Sequence, residues 1–596
     1  MQTNLAEPDF DVIIVGSGIA GALAAYRLAQ SNVRVLIIEA GGVPSESLGR
    51  YALVRSYIES PPKATDSPFC GDNILATQPD PRAPTLGKDY FDYPSPYSGD
   101  TFVSFYERLV GGSTWHWQGI YVRMVPNDFH MNKLYGKGVD WPINYDDLNR
   151  WYGEAEREMG VAGDPEQRRD DYRNRTYKIK YPMPALDPSY LDRQVAKAVP
   201  RMAAVSGIPL HVDTVPHAIN SRKYDGRPPC QGYTSCVPLC PIKARYEGIF
   251  HVEKAMTAGA VLRTQSVVTK LALDSSGKRV TGVYYRRWQW NDTDKRRYKL
   301  DADDRFLSAK VVVLAANAIE NTMILLRSDA ANSSKTVGCY LMDHPIKQSY
   351  GLAVEPLYPF RGPQTTSQIE TLRDTKHRKD FAGFKTSIKN DGWGSNATGA
   401  PRGGKVAAQK EAEDWHPGTI LDLVQNWGYF GETLKKTLAH NAVRMLTLNS
   451  ACEQLPIKGN AVTQSSKSDD LELKRPLINY QVDDPDHYVR NAFRKIVEVH
   501  KSVFDAMGIT RYKLQLDDDG KPLTFGGSGH IMGTTRMGDK PDQSVVDKNC
   551  CTHDHPNLFI LGSSVFPTSS TANPTSTIAA LALRAVDPIK AKLRSG

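Results

Sequence analysis

Three of the eight cysteines in this 596-residue chain fall within the stretch CQGYTSCVPLCPIKARY, at Cys230, Cys236 and Cys240. The spacing is C-x5-C-x3-C, with Pro241 directly after the last. Three thiolates so placed can serve zinc, an iron–sulfur cluster, or nothing. Structural zinc usually takes four ligands from C-x2-4-C pairs, whereas here the nearest downstream histidine, His251, stands eleven residues beyond Cys240. A cysteine followed by proline is typical of bacterial iron–sulfur runs. Three thiolates suit a cluster of three irons, or one of four irons with one unusual ligand. A second reactive candidate is His530 in GGSGHIMGTTRMG, where glycines let other backbone come close. Histidine is the side chain whose ordinary pKa best suits a general base near neutrality. His116, in GGSTWHWQG, follows Gly112 by four residues on another glycine-rich turn.

The elements that must position these groups begin at residue 10. DVIIV is a continuous apolar run, as in a buried parallel strand. Gly16, Gly18 and Gly21 form G-x-G-x-x-G at its end, ALAAYRLAQ reads as an Ala-rich helix, and VRVLIIE is a second strand closing on Glu39. Gly16 permits the tight turn, Gly18 lets backbone approach a pyrophosphate, and Gly21 lets helix and strand pack closely. The helix N-terminus then faces the negative charge. Glu39 can bind both ribose hydroxyls and would repel a 2′-phosphate. The motif does not separate FAD from NAD. Further strands are predicted at 261–273, 279–287, 310–319 and 557–566, the last leading into an amphipathic helix with Pro574 near its start. The nucleotide domain is therefore assembled from separated pieces that include both chain ends. Segments 131–229 and 345–520 are loop-rich and mixed, which suits a second, substrate-facing domain.

Composition bounds the class. The chain is too long for one core, and its 40% hydrophobic and 23% charged residues are ordinary for a globular protein. It has no apolar run of about 18 residues or more, so no segment is expected to span a membrane. The first apolar segment is broken by glycines and lacks a basic leader, so it does not read as a signal peptide. The net charge is +8, and much of the excess lies between Arg361 and Lys410, where ten Lys/Arg face four Asp/Glu. That stretch reads as a long loop, either a solvated surface or a lid or docking surface, and no nucleic-acid module is present. The cysteines do not form a disulfide framework. Cys70, Cys339 and Cys452 read as core thiols, and Cys550–Cys551 as structural.

With these pieces placed, the chain resembles the glucose–methanol–choline (GMC) flavoprotein oxidoreductases. The likeness is carried by VIIVGSGIAGALAAYRLA with IIEAGG, by ERLVGGSTWHWQG, by VVVLAANAIENTMILLRS, and by GHIMGTTRMG through ANPTST. It implies an α/β fold: a discontinuous Rossmann-like FAD-binding domain (1–45, 106–130, 230–344 and 521–596) and an α+β substrate domain built on an antiparallel sheet (46–105, 131–229 and 345–520). It also implies FAD as the cofactor, bound by Gly16, Gly18, Gly21, Glu39, Gly111, Gly112, His116, Val268, Gly562 and Thr575. By position, His530 matches the family's catalytic histidine and Asn573 the second member of the pair. Related sugar oxidases carry a histidine at the offset of His116 that is bonded covalently to the flavin. A covalent link and simple packing over the flavin are the two roles this leaves open.

The cysteine segment is similar to that in the catalytic subunits of bacterial multi-subunit sugar dehydrogenases of this family. By that likeness Cys230, Cys236 and Cys240 hold a [3Fe-4S] cluster. Some relatives have a second cysteine directly after the first, where this chain has Gln231. The resemblance thus implies an FAD-dependent dehydrogenase that oxidises a hydroxyl of a sugar or sugar acid. Its electrons would leave singly for an external cytochrome c or quinone. A small export subunit is the other expected partner, with residence in the periplasm, or otherwise the cytoplasm. The alternative reading is a pyranose oxidase-like or glycoside 3-oxidising flavoenzyme.

Overall fold

The apolar run at the start forms strand β1 (Phe10–Val15), followed by helix α1 (Ile19–Ala29) and strand β2 (Val35–Ile38). Val12, Ile13, Ile14 and all of β2 are sealed from solvent. Both faces of these strands are covered, which is why they are apolar throughout instead of alternating. Each such side chain contributes roughly 1.5–3 kcal/mol by leaving water. The computed structural model describes residues 7–43, 85–86, 90–165, 169–170, 175–176, 179–234, 236–237, 239–290, 298–301, 303–360, 362–390, 424, 428–469, 471–516 and 523–595.

β1 lies parallel to β2 on one side and to β3 (Arg305–Leu314) on the other. Beyond β3 comes Leu558–Ile560, and beyond β2 comes Val261–Arg263, both also parallel. The antiparallel strands Ser266–Leu273, Val280–Trp290 and Tyr298–Leu300 complete an eight-stranded sheet. Parallel neighbours cannot be joined by a hairpin, so strands from opposite ends of the sequence stand side by side. Two glycine positions at the turn after β1 have no room for a side chain. Gly16 has φ +99°, and a Cβ on Gly21 would sit 2.0 Å from the Gly16 carbonyl oxygen.

A second sheet has six strands, all antiparallel. Its members include β4 (Phe384–Lys389) and β5 (Met445–Cys452). The helix Tyr488–Ala506 covers one face, with Val489, Phe493, Ile496 and Val503 buried there. This corrects the reading of 361–410 as a long loop: residues 362–390 include the strands Ser367–Ile369 and β4. In FKTSIK, Phe384 and Ile388 enter the core under the helix, while Lys385, Ser387 and Lys389 alternate onto the opposite face. The lysines disguised a strand as a basic loop. Residues 391–410 and Cys70 lie outside the described residues. Cys452 is a core thiol, but Cys339 is only half-buried. Among the described residues no helix is long and apolar enough to cross a membrane.

The two glycines of the turn separate fold from ligand. In Gly21→Ala the new methyl meets fixed backbone, so unfolding of the apoprotein should come earlier by about 1–3 kcal/mol. Gly18→Ala meets no protein atom within 4 Å, so it should leave apoprotein melting unchanged while lowering cofactor content. Calorimetry and cofactor absorbance check both.

Candidate active site

A cavity of about 410 Å³ takes its walls from both sheets. Gly16, Gly18, Glu39, Gly111, Gly112, His116, Val268, Gly562, Thr575, His530 and Asn573 all line it. Gly21 does not, because it serves the packing beneath the turn. Cys230, Cys236 and Cys240 stand behind the wall, which their segment reaches through Val237.

The dinucleotide corner is built around Ser17, a residue the glycine pattern leaves unspecified. Its backbone N–H (2.9 Å) and hydroxyl (2.6 Å) both donate to Glu39 Oε2, and Gly41 N–H donates to Oε1 at 2.8 Å. A carboxylate offers about four lone-pair positions, so one remains on Oε1. Burial pushes the Glu39 carboxyl up from its usual range, and the hydrogen bonds from Ser17 and Gly41 oppose this. The Ser17 hydroxyl also accepts the Gly111 N–H at 3.1 Å, which docks the second glycine turn onto the first. Gly112 approaches closely enough that a Cβ would lie 3.1 Å from Gly18 Cα. Gly18 caps α1 without a side-chain hydrogen bond, leaving the first N–H groups of an 11-residue helix for an anion. These features suit a pyrophosphate.

On the opposite wall His530 and Asn573 meet, with Asn573 Nδ2 3.1 Å from His530 Nε2. The other ring nitrogen, Nδ1, lies 2.8 Å from Nδ1 of the buried His344. Lys385, reaching from β4, donates its ammonium to Asn573 Oδ1. Asp343 fixes the backbone here, accepting the N–H groups of His530 (2.9 Å), His344 (2.7 Å) and Ser528 (3.1 Å). Burial above all, then His344 and the Lys385 charge, hold the His530 imidazole well below its ordinary pKa. Burial likewise drives His344 down to about 3. Both rings are therefore neutral at working pH. Gln368, Ser387, Lys389 and Asn449 add a polar row from the second sheet. Lys385 and His344 were missed in the sequence. The alternation of FKTSIK was the only signal for the lysine.

His116 is buried on the short helical turn Gly112–His116, its Nε2 3.6 Å from Glu107 Oε1. The cysteine segment is held against this turn. The fully buried Arg245 donates to the carbonyls of Trp115 and Trp117 at 2.7 Å each, and also to that of Cys236. Gln364 clamps Val237, accepting its N–H at 3.0 Å and donating to its carbonyl at 3.2 Å. Cys236 and Cys240 are buried in an apolar cluster with Ala162, Met183, Leu186 and Ile219, and Cys230 packs against it half-buried. Burial pushes the Cys236 thiol up to about 12, and Cys240 adds to the rise. Among the described residues no three His, Cys, Asp or Glu side chains are arranged to hold a metal ion.

Residues 456–582 match the family described as GMC oxidoreductase, and residues 11–157 that described as FAD dependent oxidoreductase. The chain is 31% identical to the fructose dehydrogenase large subunit of Gluconobacter japonicus over 98% of both chains. It is 27% identical to 2-methyl-1,2-propanediol dehydrogenase of Mycolicibacterium austroafricanum, over 97% of this chain and 95% of that one. Among solved structures, pyridoxine 4-oxidase from Mesorbium loti has a similar fold (TM-score 0.59, 19% identity), covering 97% of this chain and 99% of that chain.

A lowered imidazole pKa has a definite sign. The neutral, proton-accepting form of His530 persists as pH falls through the ordinary value of about 6.5 and is lost only below it. The acid limb of cofactor reduction by an alcohol should therefore lie below that value. A limb at or above it would place His530 in an ordinary aqueous setting.

Proposed function

Because the chain belongs to the GMC oxidoreductases, FAD-dependent enzymes acting on CH–OH donors, we propose that it is a dehydrogenase oxidising a hydroxyl of a sugar or sugar acid to a carbonyl and sending the electrons through a [3Fe-4S] cluster to an external cytochrome c or quinone. The observation that carries this reading is the His530–Asn573 pair, set in the same cavity as the dinucleotide turn. FAD, when bound, accepts the carbinol hydride.

The chain's own residues do the rest. The bare N-terminus of α1 and Gly18 receive the pyrophosphate, Glu39 Oε1 takes one ribose hydroxyl, and Gly111, Gly112, Val268, Gly562 and Thr575 enclose the remainder. His116 bonds the flavin or packs on it. His530 Nε2 accepts the hydroxyl proton while the Asn573 amide holds the same oxygen as charge develops on it. A hydroxyl-rich substrate suits the polar row of Gln368, Ser387, Lys389 and Asn449. In this reading 1–45, 106–130, 230–344 and 521–596 form the cofactor half, and 46–105, 131–229 and 345–520 the substrate half.

Cys230, Cys236 and Cys240 would hold the cluster. Three soft thiols, two of them buried in an apolar pocket, would suit iron–sulfur chemistry. Such a cluster, when bound, carries electrons singly. By likeness to a relative that is itself a large subunit, the chain would work with a cytochrome c subunit and a small export subunit at the periplasmic face of the inner membrane.

Purified enzyme should contain iron and acid-labile sulfide, and should reduce a dye acceptor with a sugar or sugar acid while consuming little oxygen. Cys236→Ser should lose the iron and keep the FAD. Iron-free wild-type enzyme, or sugar-driven oxygen uptake with no dye reduction, would refute the electron path.

A further inference from the structure

We propose that Lys385 is a positioning residue that sets the direction of the hydrogen-bond chain through the base, turning the Asn573 amide nitrogen toward His530 and leaving the lone pair of His530 at Nε2. The proposal rests on reading His530 as the proton acceptor. Four groups are linked in order: Lys385 to Asn573 Oδ1, Asn573 Nδ2 to His530 Nε2 at 3.1 Å, and His530 Nδ1 to His344 Nδ1 at 2.8 Å.

Asn573 and His530, the two middle groups, are indifferent to direction. An amide can flip, and each neutral imidazole can carry its proton on either nitrogen. With one orientation Asn573 gives a hydrogen to His530 Nε2, His530 keeps its proton on Nδ1, and His344 Nδ1 accepts it. With the other, His344 gives a hydrogen to His530 Nδ1, the proton moves to Nε2, and Asn573 must present oxygen. Only the first puts a lone pair at Nε2, which a substrate hydroxyl can take over from the Asn573 amide as it binds, with the amide then free to donate to the substrate oxygen. An ammonium has hydrogens to give and no lone pair to offer, so Lys385 against a flipped amide would set donor against donor. The lysine selects the first state at one end of the chain, and the Ser570 carbonyl, which can only accept from His344, acts at the other.

The placement is rigid. Lys385 stands on β4, in register with Ala451 of β5, and is buried. Other charged groups around the chain leave the choice to it. The Asp343 carboxylate is taken by backbone N–H groups and the Ser104 hydroxyl. Arg373 acts on His344 with the same sign as Lys385, and Lys389 lines the same wall. After burial and His344, the ammonium also opposes protonation of His530, so the same residue orients the base and adds to what holds it neutral.

The tautomer can be read without substrate, from ring ¹⁵N shifts of histidine-labelled holoenzyme, with His530 identified by its absence in His530→Ala. Wild type should show Nδ1 protonated and Nε2 bare, and Lys385→Met should show both forms. Stopped-flow reduction of the bound flavin by a sugar supplies the second readout. In Lys385→Met with full FAD content the limiting rate should fall roughly tenfold or more, and the acid limb should move up. Lys385→Arg, also a donor only, should restore both. Asn573→Asp offers a near-identical shape that can only accept, so it should force the proton onto Nε2 and abolish reduction. An unchanged tautomer and acid limb in Lys385→Met, or a fully active Asn573→Asp, overturns the proposal. A wild-type tautomer as expected, with no sugar able to reduce the flavin, would uphold it and refute the functional reading instead.

Discussion

A histidine that is to take a proton must be neutral before the substrate arrives, in a place where water does not decide its charge. The site meets this requirement through burial. His530 faces a cavity, His344 is packed behind it, and the Lys385 ammonium on Asn573 carries the sign that disfavours imidazolium. The wall of the cavity depends on this arrangement. Asp343 spends its carboxylate on backbone N–H groups, which fixes the ring without drawing a proton onto it.

The same need explains why two sheets are required. The mixed sheet presents the glycine turn, α1 and Glu39 to the cavity. The antiparallel sheet, with one face closed by the helix Tyr488–Ala506, turns its polar face to the cavity. The hydrogen bond from Lys385 to Asn573 joins the second sheet to the lead-in of the C-terminal helix Thr575–Ser595 beside His530. Arg245 and Gln364 join the cysteine segment to the other side of the same cavity through backbone carbonyls and Val237. A shift in either joint would be felt at the base or at the His116 turn.

Much of this was legible in the sequence where function is written in backbone constraints. Gly16 and Gly21 are glycines because no Cβ fits, while at Gly18 the space stands open toward the cavity. Such positions leave a spacing that can be read. His530 stands out in the sequence by its glycine neighbours and the likeness of its surroundings, and the structure sets it in the cavity wall beside Asn573. What escaped were side chains whose meaning depends on which face of a strand they occupy. Lys385 and Lys389 looked like part of a basic loop until the alternation of Phe384 and Ile388 placed them over the cavity. Ser17 occupies an unspecified position of the glycine motif, and its hold on Glu39 and Gly111 appears only once three segments come together. The cysteines gave their spacing at once, but spacing does not set how far apart three sulfurs stand.

Anaerobic mixing of the holoenzyme with a panel of sugars and sugar acids, followed by flavin absorbance, bears most directly on the claim that His530 begins the oxidation. Rapid bleaching in wild type, with His530→Ala binding FAD fully yet staying yellow, is the expected result. Bleaching of His530→Ala at the wild-type rate would contradict it.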